Sequence, residues 1–317
     1  MLPESRVPTL QDIRAAAARI APFVHRTPIL SCAALDQITR AQLLFKCENF
    51  QKTGSFKIRG ATNAVLSLDE HTAAHGVATH SSGNHGAALA QAAHNRNIPA
   101  HVIMPNTAPQ VKKDAVAGYG ADITFCEPTI EARERTLSEI VERTGATFIP
   151  PYNDYRIIAG QATAALELLE DCPGLDIIIA PVGGGGLVSG TALATHYLSP
   201  GTLTVGAEPS AADDAFRSLR QKILIPSENP ATIADGLLTS LGDKTFPILL
   251  DHVAEILTCS EENIATAMHT IWQRMKIVIE PSAAVPLAAL LENPRKFSGK
   301  RIGIILSGGN IDLKPLS

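Results

Sequence analysis

Short, continuously apolar runs recur along this chain, each followed by a longer stretch of helical periodicity. That alternation constrains the fold more than any other feature. Runs at 43–47, 76–80, 101–104, 122–126, 176–182, 202–208, 253–257 and 301–306 read as strands. Stretches at 10–21, 56–68, 84–95, 109–117, 130–144, 156–169, 187–198, 261–276 and 281–291 read as helices. Unbroken Ile/Val runs, rather than strict polar–apolar alternation, are the signature of parallel strands covered on both faces. The prediction is an α/β fold with open, twisted parallel sheets. A length of 317 residues suits about two domains. No long linker or low-complexity stretch divides the chain, but segment 76–153 holds three strand–helix units and reads as a small domain. It would be inserted into a large domain built from 1–75 and 154–317, with a cleft between the two.

The bulk numbers exclude several classes. Hydrophobic residues are 45 % and charged residues 18 % of the chain, an ordinary globular balance. A net charge of −4 gives no basic surface for nucleic acid and no polybasic segment for a membrane. The longest apolar runs are far too short to span a bilayer. The first nine residues mix acid, base and proline rather than forming a charged head and an apolar stretch, so no signal peptide is expected and the cytoplasm is the predicted location. Cys32, Cys47, Cys126, Cys172 and Cys259 are scattered and form no CxxC pair, which argues against disulfides and zinc.

Four segments carry chemistry. The run 176–182 leads into Gly183, Gly184, Gly185 and Gly186 and then into a helix starting near Leu187. Glycine amides approach an anion closely, and a helix N-terminus adds free N–H groups and the positive dipole end, so a phosphate is the natural guest. The spacing is neither GxxxxGK[ST] nor GxGxxG, which argues against nucleotides, and a tight turn is the alternative. In Gly54-Ser55-Phe56-Lys57-Ile58-Arg59-Gly60-Ala61 a turn runs into a helix, with Ser55 near the cap and Lys57 in the first turn. Dipole and burial there favour the neutral amine that a Schiff base needs, unless Lys57 is a solvated lysine beside Lys52 and Arg59. Ser81-Ser82-Gly83-Asn84-His85-Gly86 opens an Ala-rich helix with exposed N–H groups suited to a carboxylate, or is a helix cap with spare polar groups. Ser307-Gly308-Gly309-Asn310 follows the last strand, whose carboxyl end should face a ligand.

Together and in this order, these segments resemble the fold-type II pyridoxal-phosphate family of threonine dehydratase and serine racemase, over about residues 10–310. The resemblance implies a tryptophan synthase β-like pair of domains with the active site in the cleft. It implies that Lys57 binds the cofactor covalently beside Phe56, that Asn84 meets the ring hydroxyl, that Gly183–Gly186 and the Leu187 amide hold the phosphate, and that Ser307 meets the pyridine nitrogen. A hydroxyl at that nitrogen, rather than a carboxylate, favours elimination over amino transfer. The implied activity is β-elimination from a small hydroxy-amino acid such as serine or threonine, giving a keto acid and ammonia. Lys57 would take the Cα proton, and Ser81, Ser82, Gly83, Asn84 and His85 would hold the substrate carboxylate. Ser82, matching the second catalytic group of the racemase branch, keeps serine racemization open as an alternative. So does 3-hydroxyaspartate as a substrate, with Arg133 and His80 as partners for its second carboxylate.

The segment Glu208-Pro-Ser-Ala-Ala212-Asp213-Asp214 suits a hard cation such as Mg²⁺, Ca²⁺ or Mn²⁺, or is an acidic surface turn. By resemblance to the serine racemase branch, the ligands are Glu208, the Ala212 carbonyl and Asp214. Lys52, Thr53, Arg274 and Lys276 match an ATP-binding pattern of animal serine racemases. Ser31-Cys32-Ala33 replaces a hydroxyl-richer run, so nucleotide activation is not expected. A homodimer is the state the family suggests.

Overall fold

The computed structural model describes residues 6–81, 83–108 and 110–313. Its strands are β1 (Ile29–Leu30), β2 (Gln42–Cys47), β3 (Val77–His80), β4 (Ala100–Pro105), β5 (Asp122–Cys126), β6 (Thr147–Phe148), β7 (Ile177–Pro181), β8 (Leu203–Pro209), β9 (Glu255–Cys259) and β10 (Arg301–Leu306). They form two sheets. The larger runs β1-β2-β10-β7-β8-β9 and the smaller β5-β4-β3-β6. Both are parallel except for the β1–β2 pair, which is antiparallel at the edge. The fold is therefore two parallel-sheet α/β domains, as the apolar runs predict.

The register sets the site. Cys47 lies opposite Leu306 and Pro181 opposite Ala207, so the turns after β2, β7, β8 and β10 emerge on one edge. Pro181 closes its strand beyond the last β10 pairing at Ile179, where a missing N–H breaks no ladder bond on that side. In the small sheet, β3, β4 and β5 are each followed by a helix, namely Asn84–Arg96, Gln110–Gly118 and Ile130–Thr144.

Glycine contacts weld the elements that carry the site. A Cβ on Gly160, in the helix Tyr155–Asp171, would stand 2.6 Å from the Cα of Gly60 in the helix Lys57–Leu66. One on Gly190, in the helix Gly186–Leu198, would stand 2.6 Å from the Ala162 nitrogen. Backbone therefore meets backbone at both crossings, and the lysine helix, its neighbour and the glycine-loop helix are held at fixed separations.

The expected strand at 253–257 is instead β9, two residues later, because Val253 caps a helix at Thr245–His252 that the periodicity did not reveal. That helix and others at Ala33–Thr39, Glu70–Ala74, Asp214–Gln221 and Pro294–Phe297 are eight residues or fewer. A span so short shows little period and depends on tertiary packing.

Candidate active site

Lys57 is the first residue of its helix. Phe56, rather than Ser55, occupies the cap position. Ser55 is buried, extended, and bridged antiparallel to Gly308, while the Phe56 amide donates to the Ser307 carbonyl at 3.0 Å. The lysine turn is thus stitched to the end of β10, and Ser307 is brought beside it. The Lys57 amine donates to the Pro151 carbonyl at 2.9 Å and lies 5.1 Å from the Phe56 ring centroid. Burial lowers its pKa to about 8, with the negative charge of Glu280 opposing the shift.

A buried ion network anchors the same helix two residues on. Arg59, fully buried, donates from Nε and Nη2 to Glu48 at 2.7 and 2.8 Å and from Nη1 and Nη2 to Glu167 at 2.7 and 2.8 Å. Lys46, also fully buried, donates to Glu167 at 2.6 Å and to the Thr27 carbonyl at 2.8 Å. Two cations face two carboxylates, so the cluster is neutral, and forked guanidinium bonds fix the rotation of the Lys57 helix.

Gly183, Gly184, Gly185 and Gly186 follow β7 and are all buried. Gly185, at φ +89°, caps the helix Gly186–Leu198 in a conformation side chains rarely adopt. The Tyr152 ring packs 2.4 Å from where a Cβ on Gly184 would stand. The loop is a cradle that side chains would fill, and the free amides of the helix start, Leu187 among them, suit a phosphate.

Across the cleft, Asn84 begins the helix after β3. Its Nδ2 donates to both oxygens of Glu280 at 2.9 and 3.1 Å, and its Oδ1 accepts from Asn310 Nδ2 at 2.8 Å. Ser81 continues the β3–β4 ladder, and its hydroxyl accepts from the Gly83 amide at 3.3 Å. Nothing stands within 4 Å of a Cβ built on Gly83, so this turn lines open space. Ser82 lies outside the described residues. His85 is 2 % exposed and its Nε2 donates to the Ile149 carbonyl at 3.0 Å. Burial drives its pKa down to about 3, so the ring is neutral and pins the turn to the strand ends rather than moving protons.

Arg133 stands in the first turn of the helix after β5, at the carboxyl edge of the small sheet. It is half-buried, and its Nε is buried with no hydrogen-bond partner. His80, at the end of β3, stacks on Phe148 at 5.8 Å, and burial lowers its pKa, with Glu134 opposing and the Arg133 charge assisting. His80, held neutral, and the Arg133 guanidinium are therefore near one another at the carboxyl edge of the small sheet. Lys112, from the small-sheet side, pairs with Asp235 of the large-sheet side at 2.6 Å.

Glu208 and Asp214 are 0 % and 1 % exposed, which excludes an acidic surface turn. Glu208 accepts from the Ala215 and Phe216 amides at 3.1 and 2.9 Å. Both Asp214 oxygens are buried without a hydrogen-bond partner. Burial raises the two carboxyls to about 9 and about 6, and the Asp214 charge raises Glu208 further. Arg217, whose charge reaches both, is bonded to Asp213 at 2.8 Å. Among the described residues no three His, Cys, Asp or Glu side chains gather as a metal site. A cation here would rest on these two carboxylates plus backbone and water oxygens, a donor set suited to a hard ion.

Sequence reasoning missed Glu280. It is 4 % exposed, burial raises its pKa to about 7, and Gly308 lies so close that a Cβ there would be 2.7 Å from its carboxylate. The Ser307 end of the site thus holds an ionisable acid beside the hydroxyl. A signal existed: Glu280 is the cap of the helix Pro281–Glu292, yet makes no capping bond. Glutamate is a poor cap, so its side chain was free for another task.

The chain is 53 % identical over 310 residues to a beta-hydroxyaspartate dehydratase of Paracoccus denitrificans, covering 98 % of each chain. It is 47 % identical over 314 residues to a serine racemase of Dictyostelium discoideum, covering 98 % of this chain and 97 % of that one. The structure of maize serine racemase superposes with a TM-score of 0.96 at 44 % identity, covering 98 % of this chain and 96 % of the other. The family of pyridoxal-phosphate dependent enzymes matches residues 20–308, and the chain belongs to it.

Proposed function

We propose that this chain is an ammonia-lyase that removes the β-hydroxyl of 3-hydroxyaspartate, with serine and threonine as poorer substrates. The carrying observation is Arg133, a guanidinium at the cleft edge whose buried Nε lacks a partner. A substrate with a second carboxylate supplies that partner, and serine or threonine does not. The similarity to a beta-hydroxyaspartate dehydratase supports the same reading.

Pyridoxal phosphate, when bound, supplies an aldehyde for amine condensation and an electron sink for the carbon beside the amine. The chain's own groups do the rest. Gly183, Gly184, Gly185, Gly186 and the Leu187 amide would bind the phosphate, and Phe56 and Ser307 would hold the ring. Lys57 Nζ, with its pKa drawn down to about 8, reaches the neutral form that accepts the Cα proton of the substrate far more readily than an ordinary lysine does. Asn84 is fixed from both sides by Glu280 and Asn310. Ser81 and the Gly83 amide hold the α-carboxylate, with Arg133 and His80 on the β-carboxylate. Glu208, Asp214 and the Ala212 carbonyl hold Mg²⁺ or a similar divalent cation, which supports the large domain without touching the chemistry. A homodimer in the cytoplasm is the setting this reading assumes.

The test compares oxaloacetate release from 3-hydroxyaspartate with keto acid release from serine and threonine, for the parent and Arg133→Met. The parent should prefer the dicarboxylate, and Arg133→Met should raise KM for it at least tenfold while leaving serine turnover within a factor of three. Equal losses on both substrates would show that Arg133 does not read the second carboxylate. Chiral analysis of recovered serine separates the racemase alternative, which the similarity to serine racemases keeps in view.

A further inference from the structure

Two histidines lie outside the site described above and meet each other. His196 is in the last turn of the helix Gly186–Leu198, and His252 is the last residue of the helix Thr245–His252. At 1.5 Å per residue, His196 is about 15 Å along its helix from Gly186 and the phosphate cradle. The two helices pack on one another, with Ala192, Leu193, Ile248, Leu249 and Val253 in one buried cluster. Both C-terminal ends are closed by backbone bonds. The Ser199 amide donates to the Thr195 carbonyl at 2.9 Å, and the Val253 amide to the Leu249 carbonyl at 3.0 Å. Rigid elements, rather than a loop, therefore bring the two rings together. Their centroids are 4.5 Å apart and their planes are inclined at 42°. His196 also meets the Tyr197 ring edge-on at 5.0 Å, and the Tyr197 hydroxyl donates to the Pro8 carbonyl at 3.3 Å. His196 is exposed and His252 half-buried, so ions reach the pair from solvent. Among the described residues no hydrogen bond or ion pair occupies either ring.

From this placement we infer a transition-metal site: His196 and His252 together chelate a divalent cation of the Cu²⁺ or Ni²⁺ class, with water completing the shell. Imidazole nitrogen suits these ions and Zn²⁺, whereas Mg²⁺ and Ca²⁺ take oxygen. The spacing chooses among them. A ring nitrogen about 2 Å from a metal puts its ring centroid about 3 Å away, so centroids 4.5 Å apart subtend about 90–100° at the ion. That is the cis angle of tetragonal coordination, whereas a tetrahedral ion opens it to about 109°. No third His, Cys, Asp or Glu completes a cluster among the described residues, which leaves the remaining positions to water. The backbone assists, because each helix ends in its negative dipole pole beside the ring that it carries. Two rings acting as one chelate bind about 100-fold more tightly than either ring alone.

The experiment titrates CuCl₂, NiCl₂ and ZnCl₂ into the holoenzyme in a buffer that does not bind metal. Calorimetry gives the affinities, and electron paramagnetic resonance counts the nitrogens on copper. The parent should show one tight copper equivalent split by two imidazole nitrogens, and should hold Ni²⁺ more tightly than Zn²⁺. His196→Gln and His252→Gln should each weaken the copper equivalent about 100-fold and leave at most one nitrogen on it. Cofactor absorbance in both variants should match the parent, which shows the fold intact. His71 and His75 form another close histidine pair, with ring centroids at 5.4 Å, on the short helix Glu70–Ala74 and its cap. His75→Gln should leave the tight equivalent in place. If that equivalent survives His196→Gln or His252→Gln, or disappears in His75→Gln, the assignment is overturned. If the parent takes up copper only at the affinity of the single-ring variants, the two rings are packing partners and the site does not exist. Zn²⁺ held more tightly than Ni²⁺ would refute the cis geometry.

Discussion

If Lys57 binds the cofactor as proposed, its protonation sets how fast the apo chain captures it, and the burial of the amine gives that a magnitude. A lysine at its ordinary 10.5 is neutral in about three molecules per ten thousand at pH 7, whereas an amine at about 8 is neutral in about one in ten, a gain of about 300-fold in reactive nitrogen. The second-order rate of pyridoxal-phosphate capture should therefore climb about tenfold per pH unit up to pH 8 and then level off, since the neutral amine is the nucleophile. Glu280 opposes the shift by stabilising the ammonium, so Glu280→Gln should move the break to lower pH and speed capture at pH 7.5. The difference between parent and variant should fade below pH 7, because the Glu280 carboxyl itself titrates at about 7 and is neutral there in both. Stopped-flow absorbance of the lysine imine, normalised to the same reaction of a blocked lysine, measures this directly. A parent profile still rising at pH 10, or a Glu280→Gln break displaced upward, would refute the argument that burial and Glu280 together tune this amine.

Three further outcomes follow from packing and charge. Arg59→Met strands the fully buried Glu48 without its forked partner, and should cost about 3–5 kcal/mol in urea unfolding; adding Glu48→Gln should recover part of that loss. Gly160→Ala drives a methyl to within 2.6 Å of the Gly60 backbone and should lower stability by about 1–3 kcal/mol, read as a fall in melting temperature. Gly184→Ala forces the Tyr152 ring out of a 2.4 Å approach, and should weaken cofactor retention in gel filtration with little change in the far-ultraviolet circular dichroism.

What could be read in advance was what depends on local backbone chemistry. Four adjacent glycines before a helix, a lysine opening another helix, and a Ser-Gly-Gly turn after a buried strand each advertise themselves within ten residues. The eight predicted strands correspond to β2–β5 and β7–β10, because continuous burial on both faces leaves an unbroken apolar run. The two-residue edge strands β1 and β6 and the short helices were not legible, since so few residues carry no period. The Asp214–Gln221 helix hid inside what read as an acidic loop, and its burial turned that loop into a pair of enclosed carboxylates.

Partnerships across long separations were invisible for a different reason. Asn84 meets Glu280 across 196 residues and Arg59 meets Glu167 across 108, and no local pattern links such pairs. By itself, the sequence determined the α/β class and singled out the four-glycine loop and the helix-opening lysine as candidates, because these follow from propensity and backbone geometry over a few neighbours. The tertiary structure alone decided the pKa of Lys57, the neutrality of His85, the role of Glu280 and the unsatisfied state of Arg133 and Asp214. These depend on desolvation and on charges a few ångströms away, and only the folded chain brings such distant groups into one low-dielectric cleft.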